Sequence, residues 1–249
     1  MSQLRLYDSL IHLFETKSSS SLAQVLTHPE YSQFIDRHHL EVSSDQLVRS
    51  FTHASFSHEY QVPNQETLEF LGDAVLQLII TDMLLEKFPG EKEGRLSRLR
   101  STIVNEKSLA TLALALNLEK LILVGKGEFK KDLFTQEVVL ADTVEALIGA
   151  IHQAQSFDKT KKLVLEWFQK FLPEAFALSA LDEFDAKSKL QEASLAKYKV
   201  LPRYSAEAQG TQFLVKVWIN EQLMAEGLYP SKKSGEMALA KKVLKENSY

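Results

Sequence analysis

Hydrophobic residues recur every three to four positions through most of the chain, which is the period of an α-helix packed on one side. From residue 45 to about 178 this pattern predicts helix after helix and no strand of alternating polarity. Pro89-Gly90 and Pro173 mark the ends of two of these helices. The predicted helices are DQLVRSFTHASF (45–56), ETLEFLGDAVLQLIITDMLLEKF (66–88), RLSRLRSTIVNEKSLATLALALN (95–117), VVLADTVEALIGAIHQAQ (138–155) and KTKKLVLEWFQKFL (159–172).

Residues 185–249 follow a different pattern. A helical segment, KSKLQEASLAKY, precedes the run FLVKVWI at 213–219, in which apolar residues occupy alternate positions. Residues 220–222 are enough for a turn, and a second short strand, LMAEGL, comes after them. A Lys-rich amphipathic helix, KKSGEMALAKKVL, follows. The pattern predicts a small α+β unit in which two helices cover one face of a three-stranded meander.

Charge separates the same two regions. The chain of 249 residues has a net charge of −4, but residues 185–249 alone carry +4 and the remainder carries −8. A basic unit joined to an acidic body suggests that the basic unit binds a polyanion.

Composition excludes several classes of protein. The chain contains no cysteine, which rules out disulfides and thiolate metal sites. Its apolar runs are far shorter than the ~20 residues that span a bilayer, so no membrane role is expected. Asp8 and Glu15 interrupt what would be the apolar part of a signal peptide. We therefore expect a protein that is not exported and acts in the cytoplasm.

The helix predicted at 66–88 is apolar almost throughout, yet it carries two carboxylates four positions apart, Glu69 and Asp73. They share one stripe with Glu66, Gln77 and Thr81, because spacings of three and four residues return to the same side of a helix. By periodicity alone, such a stripe is typical of the solvent face of an amphipathic helix.

A second acid pair favours a site instead. Asp142 and Glu145 are three positions apart in LADTVEALIGAIHQ, and neither pair has the Lys or Arg at i±4 that solvent-facing helices commonly carry. If the two faces met, four carboxylates would converge and repel one another. Mg²⁺, a hard cation that prefers oxygen ligands, would relieve that repulsion and could assist phosphoryl chemistry.

These stretches resemble a known family. ETLEFLGDAVL and LADTVEALIGAI, together with FTHASFSHE and EGRLSRLRSTIVNEKSLA, make the chain from about Glu41 onward similar to bacterial ribonuclease III. The expected organisation is a leader at 1–40, an all-α nuclease domain at 41–178, a linker at 179–184 and a double-stranded RNA-binding domain of αβββα fold at 185–249.

The resemblance implies a homodimeric nuclease that binds Mg²⁺, or Mn²⁺ in its place, through Glu69, Asp73, Asp142 and Glu145. Asp73 and Glu145 are the expected catalytic residues. Such an enzyme hydrolyses double-stranded RNA and leaves 5′-phosphate and 3′-hydroxyl ends. Precursors of ribosomal RNA and structured messenger RNAs are the expected substrates.

Other positions have an ordinary structural interpretation beside the functional one. Glu66 matches a family acid near the metal site and Glu93 an acid beside the dimer interface, but both also suit exposed helix ends. Phe70 matches an aromatic residue that enters a socket on the partner subunit, with core packing as the alternative. His53 and His58, beside apolar residues, are interpreted as structural.

In the basic unit, the resemblance implies RNA contacts from both helices. Gln191 and Glu192 would face a minor groove, and Lys232 and Lys233, at the positive end of the last helix, would face phosphates. The loop between the first two strands, AQGTQ at 208–212, is shorter than is usual in the family. We therefore expect this unit to bind RNA more weakly than is typical.

Two further places depart from the family pattern. Lys130 and Lys131 stand in GEFKKDLFTQ, where two glycines and then basic residues are usual, and Thr67 replaces the usual arginine of the signature. The alternative function is a double-stranded RNA-binding protein without catalysis, built on a nuclease scaffold. Such a protein would be expected to have lost one of the four acids, and all four are present.

Overall fold

The computed structural model describes residues 29–173 and 178–246. The chain divides into two compact units between residues 173 and 174, and each is described by itself. The first unit is helical and the second contains the sheet, which confirms the predicted fold class. The predicted leader lies outside the described residues as far as residue 28. Within the described ranges, no helix has the length and apolar character needed to cross a membrane.

The helical unit is built from short and medium helices joined by tight connections. Single turns of 3₁₀ helix occur at Leu118–Lys120 and Leu133–Thr135. The helices are α1 Pro29–His38, α2 Ser44–Ser50, α3 Ala54–Tyr60, α4 Glu66–Lys87, α5 Glu93–Ile103, α6 Glu106–Leu116, α7 Lys126–Phe129, α8 Glu137–Ala154 and α9 Phe157–Phe171.

Two of the long predicted helices are each divided by a capping residue. The single helix predicted over 45–56 is wrong, because His53 begins α3 and its Nδ1 accepts a hydrogen bond from Ser55 N–H at 3.1 Å. The single helix predicted over 95–117 is wrong for the same reason: Asn105 Oδ1 accepts from Ser108 N–H at 3.0 Å. Apolar periodicity continues across both caps, and therefore does not reveal them.

Helices α4 and α8 form the centre of the helical unit. Leu76 and Ile79 of α4 are fully buried, as are Leu147 and Ile148 of α8. Helices α2 and α6 also pack against α8. Each fully buried aliphatic side chain contributes about 1.5–3 kcal/mol relative to exposure. The two helices that carry the candidate acids are therefore also the ones that hold the core together.

The second unit follows the predicted order of helix, three strands and helix. Its strands form one antiparallel sheet in the order β1-β2-β3. The backbone of the predicted linker at 179–184 belongs to the first of these helices, and the domain bounds stay a prediction. The elements are α10 Leu178–Tyr198, β1 Arg203–Gln209, β2 Gln212–Ile219, β3 Gln222–Tyr229 and α11 Lys232–Glu246.

The core of this unit lies between the sheet and its two helices. Val215, Val217 and Ile219 of β2 are buried, and they pack in one cluster with Leu190 of α10 and Leu239 of α11. The apolar residues at alternate positions of β2 therefore face the helices, as the sequence pattern predicts. The opposite face of the sheet remains more exposed.

Both strand connections are two-residue turns. Asn220 and Glu221 join β2 to β3 with φ angles of 50° and 65°, as a hairpin turn with two left-handed residues requires. Gly210, with φ of 63°, and Thr211 join β1 to β2. The connection between β1 and β2 is thus as short as the sequence indicates.

Candidate active site

Helices α4 and α8 cross in backbone contact at two glycines. A Cβ atom on Gly72 would lie 1.7 Å from the carbonyl oxygen of Glu145, and one on Gly149 would lie 2.1 Å from the carbonyl oxygen of Leu68. No side chain fits at these distances, so the close approach depends on glycine at both positions. The crossing brings together the helical turns that carry the two acid pairs.

Three carboxylates meet beside this crossing. One oxygen atom each from Glu69, Asp142 and Glu145 lies within 4.8 Å of the other two, and all three side chains are half-buried. In the ranges that the structure describes, no Lys or Arg forms an ion pair with any of them. The faces of the two helices thus bring three of the four candidate acids together.

Burial and mutual repulsion both disfavour the charged forms of these acids. Burial, followed by the charges of Asp73, Asp142 and Glu69, raises the pKa of Glu145 to about 8. Burial and then the charge of Asp142 raise the pKa of Glu69, and burial with the charge of Glu106 raises the pKa of Asp142. A cation bound among them would offset this repulsion, as is expected of a metal site.

Asp73 lies one helical turn after Glu69 and outside the group of three. Its Oδ1 accepts a hydrogen bond from Gln77 Nε2 at 2.9 Å, while its charge contributes to the raised pKa of Glu145. Asp73 is therefore close enough to act on the cluster electrostatically, and Gln77 orients it. The assignment of all four acids as metal ligands stays a prediction.

The two secondary acids lie in different surroundings. Glu66 is the first residue of α4 and is exposed, and its charge contributes to the raised pKa of Glu69. Glu93 begins α5 and, with Leu84 and Arg100, lines a cavity of about 330 Å³. Glu66 is thus associated with the acid cluster, whereas Glu93 is associated with this cavity.

Glu106 is an acid near the cluster that the sequence did not single out. It is exposed in the first turn of α6, which packs against α8, and its charge contributes to the raised pKa of Asp142. An acid at the start of a helix has an ordinary explanation in the helix dipole. Only the packing of α6 on α8 reveals that Glu106 also lies close enough to Asp142 to affect its pKa.

Comparison with known proteins identifies the fold and the family. A family model described as Ribonuclease-III-like matches residues 44–172. Ribonuclease 3 of Borreliella burgdorferi is 37% identical over 224 residues, which cover 87% of this chain and 91% of the relative. Ribonuclease 3 of Syntrophobacter fumaroxidans is 39% identical over 209 residues, which cover 80% of this chain and 86% of the relative. The chain belongs to the ribonuclease III family.

Solved structures agree for the helical unit. The nuclease domain of ribonuclease III from Campylobacter jejuni superimposes with a TM-score of 0.54 at 39% identity, covering 57% of this chain and 97% of that one. That nuclease domain shows structural flexibility in a region involved in dimer formation. As a ribonuclease III, the present chain is a hydrolase, an endonuclease specific for double-stranded RNA.

Phe70 of this ribonuclease III does not pack in the core of its own chain. Its side chain is 82% exposed, although it lies between the buried Leu68 and Gly72 in sequence. Leu78 and Leu85 on the same helix are 55% and 54% exposed. These three side chains give α4 an exposed apolar side between its charged ends, which is unusual for a surface that stays in water.

The RNA-contact residues expected in the basic unit are all on its surface. Gln191 and Glu192 are exposed on α10, and Lys232 and Lys233 are exposed in the first turn of α11. The ammonium group of Lys232 lies 5.7 Å from the centre of the Phe213 ring, which is within the range of a cation–π contact. Their role in RNA binding stays a prediction.

The remaining positions singled out in the sequence have local contacts. His53 caps α3, and burial lowers its pKa, while His58 is exposed. Thr67 Oγ1 accepts a hydrogen bond from the Arg49 guanidinium. Lys131 forms a 3.1 Å ion pair with Glu128 of α7.

Proposed function

We propose that this ribonuclease III cleaves double-stranded RNA with Mg²⁺ held by Glu69, Asp73, Asp142 and Glu145. The observation that carries the proposal is the approach of three carboxylates within 4.8 Å of one another without a balancing Lys or Arg in the described residues. Leaving such a cluster uncompensated at the boundary of the core is costly.

The donor set fits the proposed ion. Mg²⁺ takes oxygen ligands and retains waters, so half-buried carboxylates open to solvent on one side suit it. Mn²⁺ shares this preference for oxygen and can replace it. When bound, the ion would supply a lowered pKa for a water molecule and stabilisation of charge on the phosphoryl oxygens.

The side chains of the site have separable tasks. Glu145, whose pKa is raised to about 8, holds a proton at neutral pH in the metal-free protein and must release it to become a ligand. Asp73 is kept in one orientation by Gln77, so its free carboxylate oxygen can face the cluster. Both are proposed as catalytic, in hydrolysis that leaves 5′-phosphate and 3′-hydroxyl ends.

A homodimer accounts for the exposed apolar side of α4. Phe70 is a projecting aromatic side chain, and the cavity of about 330 Å³ near the other end of α4 has apolar walls from Leu84, Leu85 and Leu96. In a twofold dimer the same projection and cavity occur on both subunits, so one contact is made twice. Glu93, in the wall of that cavity, would then lie beside the subunit interface.

The basic unit is proposed to hold the duplex. Gln191 and Glu192 would contact a minor groove, and Lys232 and Lys233 would contact phosphates. Glu66 is proposed as a secondary acid beside the metal. Precursors of ribosomal RNA and messenger RNAs remain the expected substrates, and the cytoplasmic location stays a prediction.

The test compares cleavage of a labelled RNA duplex with and without Mg²⁺ by the natural protein and two variants. Glu145→Gln should lower cleavage by roughly 10³-fold, because removal of one ligand charge costs several kcal/mol of transition-state stabilisation. Glu137→Gln, an exposed acid at the start of the same helix, should cleave normally. Binding of the duplex should survive in both.

Two outcomes would contradict the proposal. Full cleavage by Glu145→Gln would show that this carboxylate is not a ligand. Binding of the duplex by the natural protein without any metal-dependent cleavage would instead favour the alternative function, a binding protein built on a nuclease scaffold.

A further inference from the structure

The first turn of α4 is held by side chains from outside the helix. Its N-cap residue, Gln65, makes no side-chain cap, which leaves the first N–H groups in need of other acceptors. Asn64 supplies one, since its Oδ1 accepts a hydrogen bond from Glu66 N–H at 3.2 Å. The same amide donates from Nδ2 to Glu66 Oε2 at 3.0 Å. Asn64 thus holds both the backbone and the carboxylate of Glu66.

Asn64 is in turn held by Arg49, at the end of α2. Arg49 Nε–H donates to the carbonyl oxygen of Asn64 at 2.8 Å, and a terminal guanidinium nitrogen donates to Thr67 Oγ1. A guanidinium presents several donors in one rigid plane, so it can fix two acceptors relative to each other. Arg49 therefore spans the turn before α4 and the first turn of the helix itself.

The helix that carries Arg49 is anchored independently of α4. Helix α2 packs against α8, the helix of Asp142 and Glu145. Contacts run from α2 through Arg49 to Asn64 and from Asn64 to Glu66, which is one turn from the cluster residue Glu69. The start of α4 is thereby connected to the partner helix of the site by a second route, separate from the glycine crossing.

We propose that Arg49 is a positioning residue of the metal site, which acts through Asn64 to hold the Glu66 carboxylate beside Glu69. The proposal rests on the metal-binding function proposed above. Glu66 in this position would accept hydrogen bonds from waters on the bound ion. Residues that orient the surroundings of a metal in this way commonly change metal affinity by 10–100-fold when they are replaced.

The first measurement uses the metal alone, without RNA. Titration of the full-length protein with Mg²⁺ or Mn²⁺ by calorimetry should give an affinity about 10-fold lower for Arg49→Gln than for the natural protein. Arg49→Lys should be intermediate, because an ammonium group cannot reproduce both contacts of the guanidinium fork. Asn64→Ala should resemble Arg49→Gln, and it tests the same route if Arg49→Gln fails to fold.

The second measurement is a double-mutant cycle with Glu66→Gln. If Arg49 acts through Glu66, Arg49→Gln should lower metal affinity little further once Glu66 is already Gln, so the two effects should not add. Additive effects would overturn the proposed route. So would an unchanged metal affinity in Arg49→Gln accompanied only by a lower Tm, which would leave Arg49 with a role in local stability alone.

Lys159→Gln provides the matched control. It removes a cation that forms an exposed ion pair with Glu41 at 2.9 Å, and it should leave metal affinity unchanged. Failure of the proposed function would look different from failure of the Arg49 proposal. If the proposed function is wrong, Glu145→Gln would bind metal like the natural protein. If only the Arg49 proposal is wrong, the Arg49 and Asn64 variants would bind metal like the natural protein, while Glu145→Gln would bind it more weakly.

Discussion

In the helical unit the charged groups of interest are half-buried carboxylates held between two core helices, whereas in the αβββα unit they are lysines that project from the first turn of a surface helix. Glu145 has its pKa raised to about 8 by burial and by its acidic neighbours, while the side chains of Lys232 and Lys233 are exposed. In the first arrangement the carboxylates repel one another, and a bound cation would reduce that repulsion. The second contains no such repulsion, and it suits the proposed long-range attraction to a polyanion.

The two arrangements depend on the fold to different degrees. The acids meet only because Gly72 and Gly149 let two backbones touch, so small displacements of either helix would separate them. The lysines need only a helix that begins at the right place, which Ser231 supports by accepting a hydrogen bond from Ser234 N–H at 3.2 Å. Catalysis should therefore be lost more easily than RNA binding.

Among the changes that test this comparison of the two units, the largest effect is expected at the helix crossing. Gly149→Ala places a methyl group against the Leu68 carbonyl and should lower cleavage by about 100-fold, since a misplacement of ~1 Å at a reacting centre costs that much. Overpacking should also cost about 1–3 kcal/mol of stability. Gly127→Ala is the control, because a Cβ there meets no atom within 4 Å. Normal cleavage by Gly149→Ala would show that the crossing does not set the site geometry.

Removal of the exposed Phe70 side chain should affect dimer formation directly, and cleavage only through the loss of the dimer. Phe70→Ala should weaken the proposed dimer by about 30-fold, which corresponds to ~2 kcal/mol for an anchor residue buried in an interface. Sedimentation over a range of protein concentrations would measure this. Lys107→Ala, an exposed position on α6, should leave the association constant unchanged. A natural protein that is monomeric at every concentration would refute the assignment of Phe70.

Charge removal in the αβββα unit should have a smaller effect. Replacing Lys232 and Lys233 together by Gln should weaken duplex binding by roughly 10-fold at moderate salt and lower the salt slope by about 1 for each lost phosphate contact. The pair Lys242→Gln and Lys245→Gln removes the same charge from later turns of α11 and should have less effect. Equal losses from both pairs would indicate general attraction rather than contacts at the helix start.

The last expected effect is on stability in the absence of metal and requires no mutation. Because the folded pKa of Glu145 is raised from 4.5 to about 8, the folded state binds more protons than the unfolded state between these values. The contribution of Glu145 to stability is thus present below pH 4.5 and is lost as the pH rises towards 8. Thermal unfolding in EDTA should show this decline, and Glu145→Gln should reduce it. A Tm independent of pH in the natural protein would contradict the raised pKa.

Much of the fold could be predicted from the sequence because its signals are local. The apolar period of α4 and α8, the alternation in β2 and the Lys-rich start of α11 are each carried by consecutive residues. The breaks at His53 and Asn105 were missed because each cap lies inside a pattern whose apolar period continues.

The candidate site was predictable in its residue types but not in its geometry. Glu69 and Asp142 are recognisable as unpaired acids on apolar helices, and the family resemblance pairs them. The proximity of Glu106 to Asp142 and the contact of Arg49 with Asn64 arise from the packing of separate helices. A pattern within one helix contains no information about such contacts.

The glycine crossing has a consequence for any attempt to change the metal that is proposed to bind at this site. Oxygen ligands lie at 2.0–2.1 Å from Mg²⁺ but at 2.3–2.6 Å from Ca²⁺, and the larger ion takes more of them. Because α4 and α8 already touch at Gly72 and Gly149, the main chain fixes the spacing of the Cα atoms that carry the acids, and only the side-chain rotamers can adjust the carboxylates. A redesign of ion selectivity would therefore be limited to the length and rotamer of the acidic side chains, since moving the helices apart would be at the expense of the core.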